Sequence, residues 1–289
     1  MKIICALLII LSVICIVKNS YSFDTEFNDK LYQLKWVAYS PTNYSPYSGD
    51  YPTLSSIEED LKLLLEAGFN GIITYSAHGI FADIPETAKR MGFQGVIMGV
   101  WDIFSQEELQ AAINASSFVD GYCLGNENLG RRYEIEELDK VMSYVRQATQ
   151  RPVTTSEEIT DYANERVVKL GDWIFPNIHP FLFNTKDPKK AVNFVRHAYK
   201  ILLRAAKGKP TLVKEVGFPT KGDIQANQKN QKIFFNLLEK TEVNFAYFEA
   251  FDQPWKMHLE IEPYWGLFDK NRRPKRFIAG KLKELNKYP

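Results

Sequence analysis

Val119-Asp120-Gly121-Tyr122-Cys123-Leu124-Gly125-Asn126-Glu127 is a short apolar run that ends on Gly-Asn-Glu. It reads as a β-strand that delivers an amide and a carboxylate into the loop beyond it. Glu is rarely buried without a partner, so a strand ending in one places it at an opening. Thr211-Leu212-Val213-Lys214-Glu215-Val216-Gly217-Phe218-Pro219 repeats the design: a β-rich run closes on a Glu, then Gly and Pro. Between and around these stretches, strand-like and helix-like runs alternate, which points to a parallel sheet wrapped by helices.

Working outward, further strands are expected at Leu34–Tyr39, Gly71–Tyr75, Gln94–Val100, Pro152–Thr155, Trp173–Ile178 and Asn244–Phe248. Helices are expected at Ser56–Ala67, Ile84–Arg90, after Ser105, at Ile135–Gln150, Tyr162–Leu170, Asp187–Ala206, Ile224–Lys240 and Ile278–Asn286. The first places Ile57, Leu61, Leu64 and Leu65 on one face and stops at Gly68. The third opens with a capping box, Ser105 with Glu108. Eight strands alternating with eight helices through short connections describe an α/β chain folded as a single (β/α)8 TIM barrel. A length of 289 residues is ordinary for that architecture.

The first residues read as an address. Lys2 precedes an uncharged apolar run from Ile3 to Val17, followed by polar and small residues to Ser22. The run is too short to span a bilayer comfortably and has the layout of a signal peptide over residues 1–22. The expected protein is therefore secreted, periplasmic or cell-wall associated. Its catalytic domain would be 23–289, with no stable membrane span after cleavage; an uncleaved anchor is the alternative. Cleavage removes Lys2, Lys18 and no acid, taking the net charge from +1 to −1. That balance excludes the basic footprint of a nucleic-acid binder. Cleavage also removes Cys5 and Cys15, leaving Cys123 with no partner for an internal disulfide. In its apolar strand Cys123 reads as a small core residue.

In a βα barrel the C-terminal ends of all strands open on one face. Tyr39, Tyr75, Trp101, Glu127, Glu157, His179, Glu215, Glu249 and Asp252 stand at or just beyond strand ends and are expected to converge there. Two carboxyl groups flanking one bond are what glycoside hydrolysis needs, one protonated and one ionised. Asn126, next to Glu127, is suited to bonding a sugar hydroxyl. Glu157 and Glu249 read equally well as structural partners. The four His (His78, His179, His197, His258) have no close ligand spacing, so no metal is expected.

With these residues in place, the chain resembles glycoside hydrolase family seventeen, the β-1,3-glucanases. Gly125-Asn126-Glu127 looks like the acid/base motif, and Glu215-Val216-Gly217-Phe218-Pro219-Thr220 like the nucleophile motif. Phe248-Glu249-Ala250-Phe251-Asp252-Gln253-Pro254-Trp255-Lys256 is similar to the strand-eight signature in its microbial form. Glu262 followed by Tyr264-Trp265-Gly266-Leu267-Phe268 resembles the closing motif. Tyr39-Ser40-Pro41, Thr74-Tyr75-Ser76 and Asn177-Ile178-His179-Pro180-Phe181 match further landmarks, so the resemblance runs from Leu34 to Pro274. It departs where an Arg is usual near strand two, where His179 replaces Tyr, and where Phe218 replaces Trp.

The resemblance implies Glu127 as acid/base and Glu215 as nucleophile, on strands four and seven. Lys256 and Glu262 would support the site, and Trp255 and Trp265 would stack on sugar or pack beneath it. Tyr39, Tyr75, Asn126, His179 and Asp252 complete the expected substrate contacts. The expectation is a retaining hydrolase of β-1,3-glucosidic bonds in β-glucan, without cofactor and monomeric. Two alternatives stay open: a glucan transglycosylase with the same residues, and a non-catalytic glucan-binding barrel.

Overall fold

The computed structural model describes residues 25–285; the expected signal peptide lies outside them. Among the described residues there are seven strands: β1 (Trp36–Ala38), β2 (Gly71–Ile73), β3 (Gly95–Val100), β4 (Gly121–Asn126), β5 (Val153–Ser156), β6 (Val213–Val216) and β7 (Phe245–Tyr247). They form one parallel sheet in the order β5-β4-β3-β2-β1-β7-β6. Residues 25–33 form α1. The other helices are α2 (Leu54–Glu66), α3 (Ile84–Met91), α4 (Gln106–Asn114), α5 (Ile135–Thr149), α6 (Glu165–Lys169), α7 (Pro188–Ala206), α8 (Gln228–Leu238) and α9 (Arg276–Leu285).

Strand alternation sorts the core into two layers. In β2 and β3, Ile72 and Val96 pack outward with Ile57, Leu61 and Leu64 of α2. Their neighbours Ile73 and Ile97 point to the other side, into a cluster with Trp36, Cys123, Trp173 and Phe175. Phe27 and Leu31 of α1 enter that inner cluster from below. Room is made by glycines at the N-terminal ends of strands. A Cβ on Gly95 would come 2.5 Å from the Trp36 ring, and one on Gly121 would come 2.7 Å from Phe27.

The sixth expected strand, Trp173–Ile178, is corrected. It forms no strand, although it sits between β5 and β6. Isolated parallel bridges join Asn177 to Glu158 on one side and to Glu215 on the other, and Ile174 to Thr211. Pro176 has no N–H to donate and interrupts the ladder, while its carbonyl accepts from Lys214 N at 2.9 Å. The expected helix over Tyr162–Leu170 also splits. A 3-10 turn over Asp161–Ala163 precedes α6, because Asn164 has extended backbone and its side chain accepts from Arg166 N, as an N-cap does. For the same reason α8 starts at Gln228 rather than at Ile224: Asn227 caps it through Asn230 N.

Candidate active site

The site grows from the end of β4. Gly125 has φ +73°, and a Cβ there would lie 2.3 Å from the Tyr133 hydroxyl oxygen. The β4–β5 register shifts between Cys123 and Asn126. This bulge re-aims the strand end, so Asn126 and Glu127 both face the cleft. Glu127 itself is left-handed, with φ 53°, a conformation costing an L-residue about 1–2 kcal/mol. It is held there at both ends. Its N–H donates to Ser156 O at 2.9 Å, and its Oε1 accepts from Asn177 Nδ2 at 2.7 Å.

The second half comes from β6. Adjacent residues of a regular strand face opposite ways, yet Lys214 and Glu215 meet in the same buried space. The β6–β7 register shifts between Val213 and Val216, which allows it. Lys214 is 1 % exposed and Glu215 4 %. Lys214 Nζ donates to Glu215 Oε1 at 3.1 Å and to Asn126 Oδ1, and stands 4.6 Å from the centre of the Tyr75 ring. His179 Nε2 meets the other oxygen, Glu215 Oε2, at 3.3 Å. Both nucleophile-candidate oxygens are thus pinned from opposite sides.

One oxygen of Glu127, one of Glu215 and a ring nitrogen of His179 lie within 4.8 Å of one another. The electrostatics split the two carboxyls. Burial pushes Glu127 up, and the Glu215 charge adds to it. Burial acts on Glu215 in the same sense, but the Lys214 ammonium and the His179 contact outweigh it and hold the carboxyl down at about 2. His179 is lowered by burial and raised by more through its bond to Glu215 and the charges of Glu215 and Glu127. A pair whose environments drive its members apart is the arrangement that assigns an acid and an anion.

The pair opens into a cleft of about 570 Å³, within the range of small-molecule sites. Tyr75, Asn126, His179, Trp255, Lys256, Glu262 and Trp265 all border it. The Tyr75 hydroxyl is buried and without a hydrogen-bond partner, and burial followed by the Glu215 charge raises it well above the ordinary phenol. Trp265 lies beneath the site, 1 % exposed, edge-on to His179 and Phe248. Trp255 belongs to an aromatic wall with Tyr44 and Tyr47. Trp101, 43 % exposed, borders the same cleft.

Two of the expected sugar contacts have protein partners in this structure. Tyr39 borders the cleft, but its hydroxyl donates to Asp60 Oδ2 at 3.0 Å and its ring is buried. Asp252 accepts from Lys275 Nζ at 2.6 Å and from Gly266 N at 3.0 Å, which ties the segments around it together. The two undecided acids also have structural partners. Glu157 accepts from the hydroxyls of Tyr133 and Thr155, both at 2.9 Å, and Glu249 accepts from Lys256 Nζ at 2.8 Å. Burial outweighs Lys256 and pushes Glu249 up to about 7.

Lys214 and Asn177 were not anticipated as site residues. The signal for both was a polar side chain inside an apolar β-rich run, where Lys in particular is rarely buried unless paired. Asn177 Nδ2 reaches Asn126 Oδ1 at 3.1 Å as well as Glu127, and its Oδ1 accepts from the Ser156 hydroxyl. Asn126 Oδ1 therefore receives Lys214 and Asn177 together, which fixes the amide with its NH2 on the other side.

A family profile described as the BtgE/BtgC glycoside hydrolase domain matches residues 37–266. The chain is similar to "Probable beta-glucosidase btgE" of Aspergillus fumigatus, at 26 % identity over 250 residues, 78 % of this chain and 44 % of that protein. It is similar to "Probable glucan endo-1,3-beta-glucosidase btgC" of Aspergillus clavatus, at 26 % over 195 residues, 55 % of this chain and 28 % of that protein. The chain thus spans less than half the length of these relatives. In fold it is similar to a glycoside hydrolase family 17 β-1,3-glucanosyltransferase from Rhizomucor miehei, with TM-score 0.70, 21 % identity, and coverage of 84 % of this chain and 96 % of that one. An endo-laminarinase from Formosa Hel1_33_131 aligns with TM-score 0.73 and 15 % identity, over 89 % of this chain and 88 % of that one. With the profile spanning well over half of its residues, the chain belongs to the BtgE/BtgC glycoside hydrolase domain family.

Proposed function

We propose that the chain is a retaining glycoside hydrolase of β-1,3-linked glucan, with Glu127 as acid/base and Glu215 as nucleophile. The observation that carries this reading is the carboxyl pair, with oxygens within 4.8 Å and opposite electrostatics. Retaining enzymes hold their carboxyls about 5–5.5 Å apart and inverting ones further, to admit a water. Glu215 attacks the anomeric carbon as the carboxylate, forming a glycosyl ester. The C–O bond to the leaving sugar breaks, and its oxygen takes the Glu127 proton. Water then attacks the same carbon, gives its proton to Glu127 and releases Glu215. The Asn126 NH2, turned away from Lys214 and Asn177, donates to a hydroxyl of the bound sugar. The substrate class rests on the activity for which the btgC relative is named and on a structural neighbour held in complex with laminaritriose.

Sugar in place of water as the second nucleophile makes the same site a transglycosylase. The aromatic wall of Tyr44, Tyr47 and Trp255 favours it as a second reading, because it offers an acceptor a stacking surface. The sheet is read as a complete (β/α)8 barrel, supported by the bridges of Asn177 to both neighbours. Residues 1–22 are read as a cleaved signal peptide and the product as exported, supported by the Lys2, apolar and small-residue layout. Purified protein incubated with laminarin, mixed-linkage β-glucan and cellulose tests the function. Shortened β-1,3 products with retained anomeric configuration are expected, and longer products at high donor concentration select the transferase. Absence of any product from all three sinks both readings.

A further inference from the structure

Lys214 is the one cation in the described site that is fully buried and touches both halves of it. Its Nζ joins Asn126 at the end of β4, 88 residues away in sequence, to the adjacent Glu215 on β6. Cys123 and Asn126 approach it from β4, Glu127 from just past that strand, and Tyr75 from beyond β2. Its partner Glu215 also feels His179 from the stretch after Asn177, and Lys256 and Glu249 from beyond β7. Each of its contacts has a use. The bond to Asn126 Oδ1 decides which way the amide faces, and the bond to Glu215 Oε1 places a charge on the carboxylate opposite His179. A neutral side chain of the same length would leave the Asn126 amide held by Asn177 alone and Glu215 with His179 as its main partner.

We propose that Lys214 is a positioning residue for the reaction: its ammonium fixes the Asn126 amide with NH2 toward the cleft and holds Glu215 as the anion that attacks. The inference rests on the reading of Glu215 as nucleophile, and its test does not need that reading to hold. The Glu215 carboxyl is followed by 13C NMR titration of glutamate-labelled protein, its resonance assigned by loss in Glu215→Gln. Wild type should titrate near the bottom of the accessible range, at about 2. Lys214→Met and Lys214→Gln should both raise that midpoint by about 1–3 units, as removal of a contacting opposite charge does.

Turnover of a laminari-oligosaccharide then separates the two roles. The acid limb of kcat/KM should move up in both variants. KM should rise several-fold further in Lys214→Met than in Lys214→Gln, whose amide still donates to Asn126. Thermal melts establish that each variant is folded. A wild-type midpoint in the ordinary carboxylate range, about 4.3, overturns the proposal with no variant needed. So does a folded Lys214→Met whose midpoint coincides with wild type. Wild-type protein inactive on every glucan overturns the glucanase reading alone, and the titration still decides the role of Lys214.

Discussion

At the residue scale, the chemistry follows from two carboxyls treated differently by their neighbours. Glu215 has a cation on each oxygen, Lys214 and His179, when His179 is protonated. Among the described residues Glu127 accepts its side-chain hydrogen bond from the neutral amide of Asn177, and burial with the Glu215 charge outweighs the His179 and Lys214 charges that act the other way. Glu127→Gln should lower kcat/KM on a laminari-oligosaccharide by on the order of 10²–10⁴, the usual worth of general acid catalysis. The loss should be far smaller on an aryl glucoside whose leaving phenolate needs no proton. Equal losses on both substrates would remove Glu127 from the acid role. The pH profile has a fixed sense. On the proposed roles activity requires Glu215 ionised and Glu127 protonated, so the acid limb should belong to Glu215, at about 2, and the alkaline limb to Glu127, above its ordinary value. A kcat/KM profile on a laminari-oligosaccharide should lose its alkaline limb in Glu127→Gln and keep its acid limb. Asn126, Glu127 and Glu215 were all legible in sequence as polar groups at strand ends. Tyr39 and Asp252 were legible as positions, but their partners Asp60 and Lys275 were not, because those residues lie far off in the chain.

At the element scale, the end of β4 matters most. Its bulge and the left-handed Gly125 and Glu127 turn a strand into a mount for two adjacent side chains. Gly125→Ala would force a Cβ against the Tyr133 hydroxyl in a conformation that already disfavours side chains. The combined backbone and overpacking cost is about 2–4 kcal/mol, read as a lower urea midpoint. Because Tyr133 also holds Glu157 behind the site, kcat should fall even where the variant stays folded; unchanged stability and turnover would refute this account. Most helices and strands were readable from periodicity and caps, as at Ser105, whose side chain accepts from Glu108 N. The stretch 173–178 misled for a specific reason: its apolar pattern is that of a strand, and Pro176 removes one donor from the ladder.

At the scale of the whole molecule, the end that carries the candidate site and the end closed by α1 are separate. α1 packs Phe27 against Trp173, ring centroids 4.8 Å apart, and Lys30 onto Asp120 at 2.8 Å. Lys89 of α3 meets the other oxygen of Asp120 at 2.6 Å. Phe27→Ala should cost about 3–5 kcal/mol by denaturant titration and leave kcat of the folded enzyme within about twofold. A comparable fall in kcat would show that the two ends are coupled. Asp120 has the sign usual for a paired carboxylate. Burial raises it, and the bonds from Lys30 and Lys89 lower it by more, so its folded value is depressed. Its stabilisation is therefore present above the unfolded carboxyl value, about 3.9, and is lost as pH falls through the folded value below it. Urea midpoints of wild type and Asp120→Asn should differ at pH 6 and converge as pH falls through the depressed folded value of Asp120; a gap that persists in acid would assign the effect to packing instead.

The sequence by itself determined the alternating βα order, the face on which strand ends gather, and the two glutamates at those ends. Each is written in local pattern: period-2 runs, helix caps, and a Glu where a strand stops. Only the tertiary structure decided which groups reach them. Lys214, Asn177 and His179 contact side chains 88, 50 and 36 residues away, and no local pattern records a partner at such distances. Ionisation is decided at the same level. Glu127 and Glu215 are the same residue type at similar strand ends, and what separates an acid from an anion is the through-space position of one buried ammonium and one imidazole.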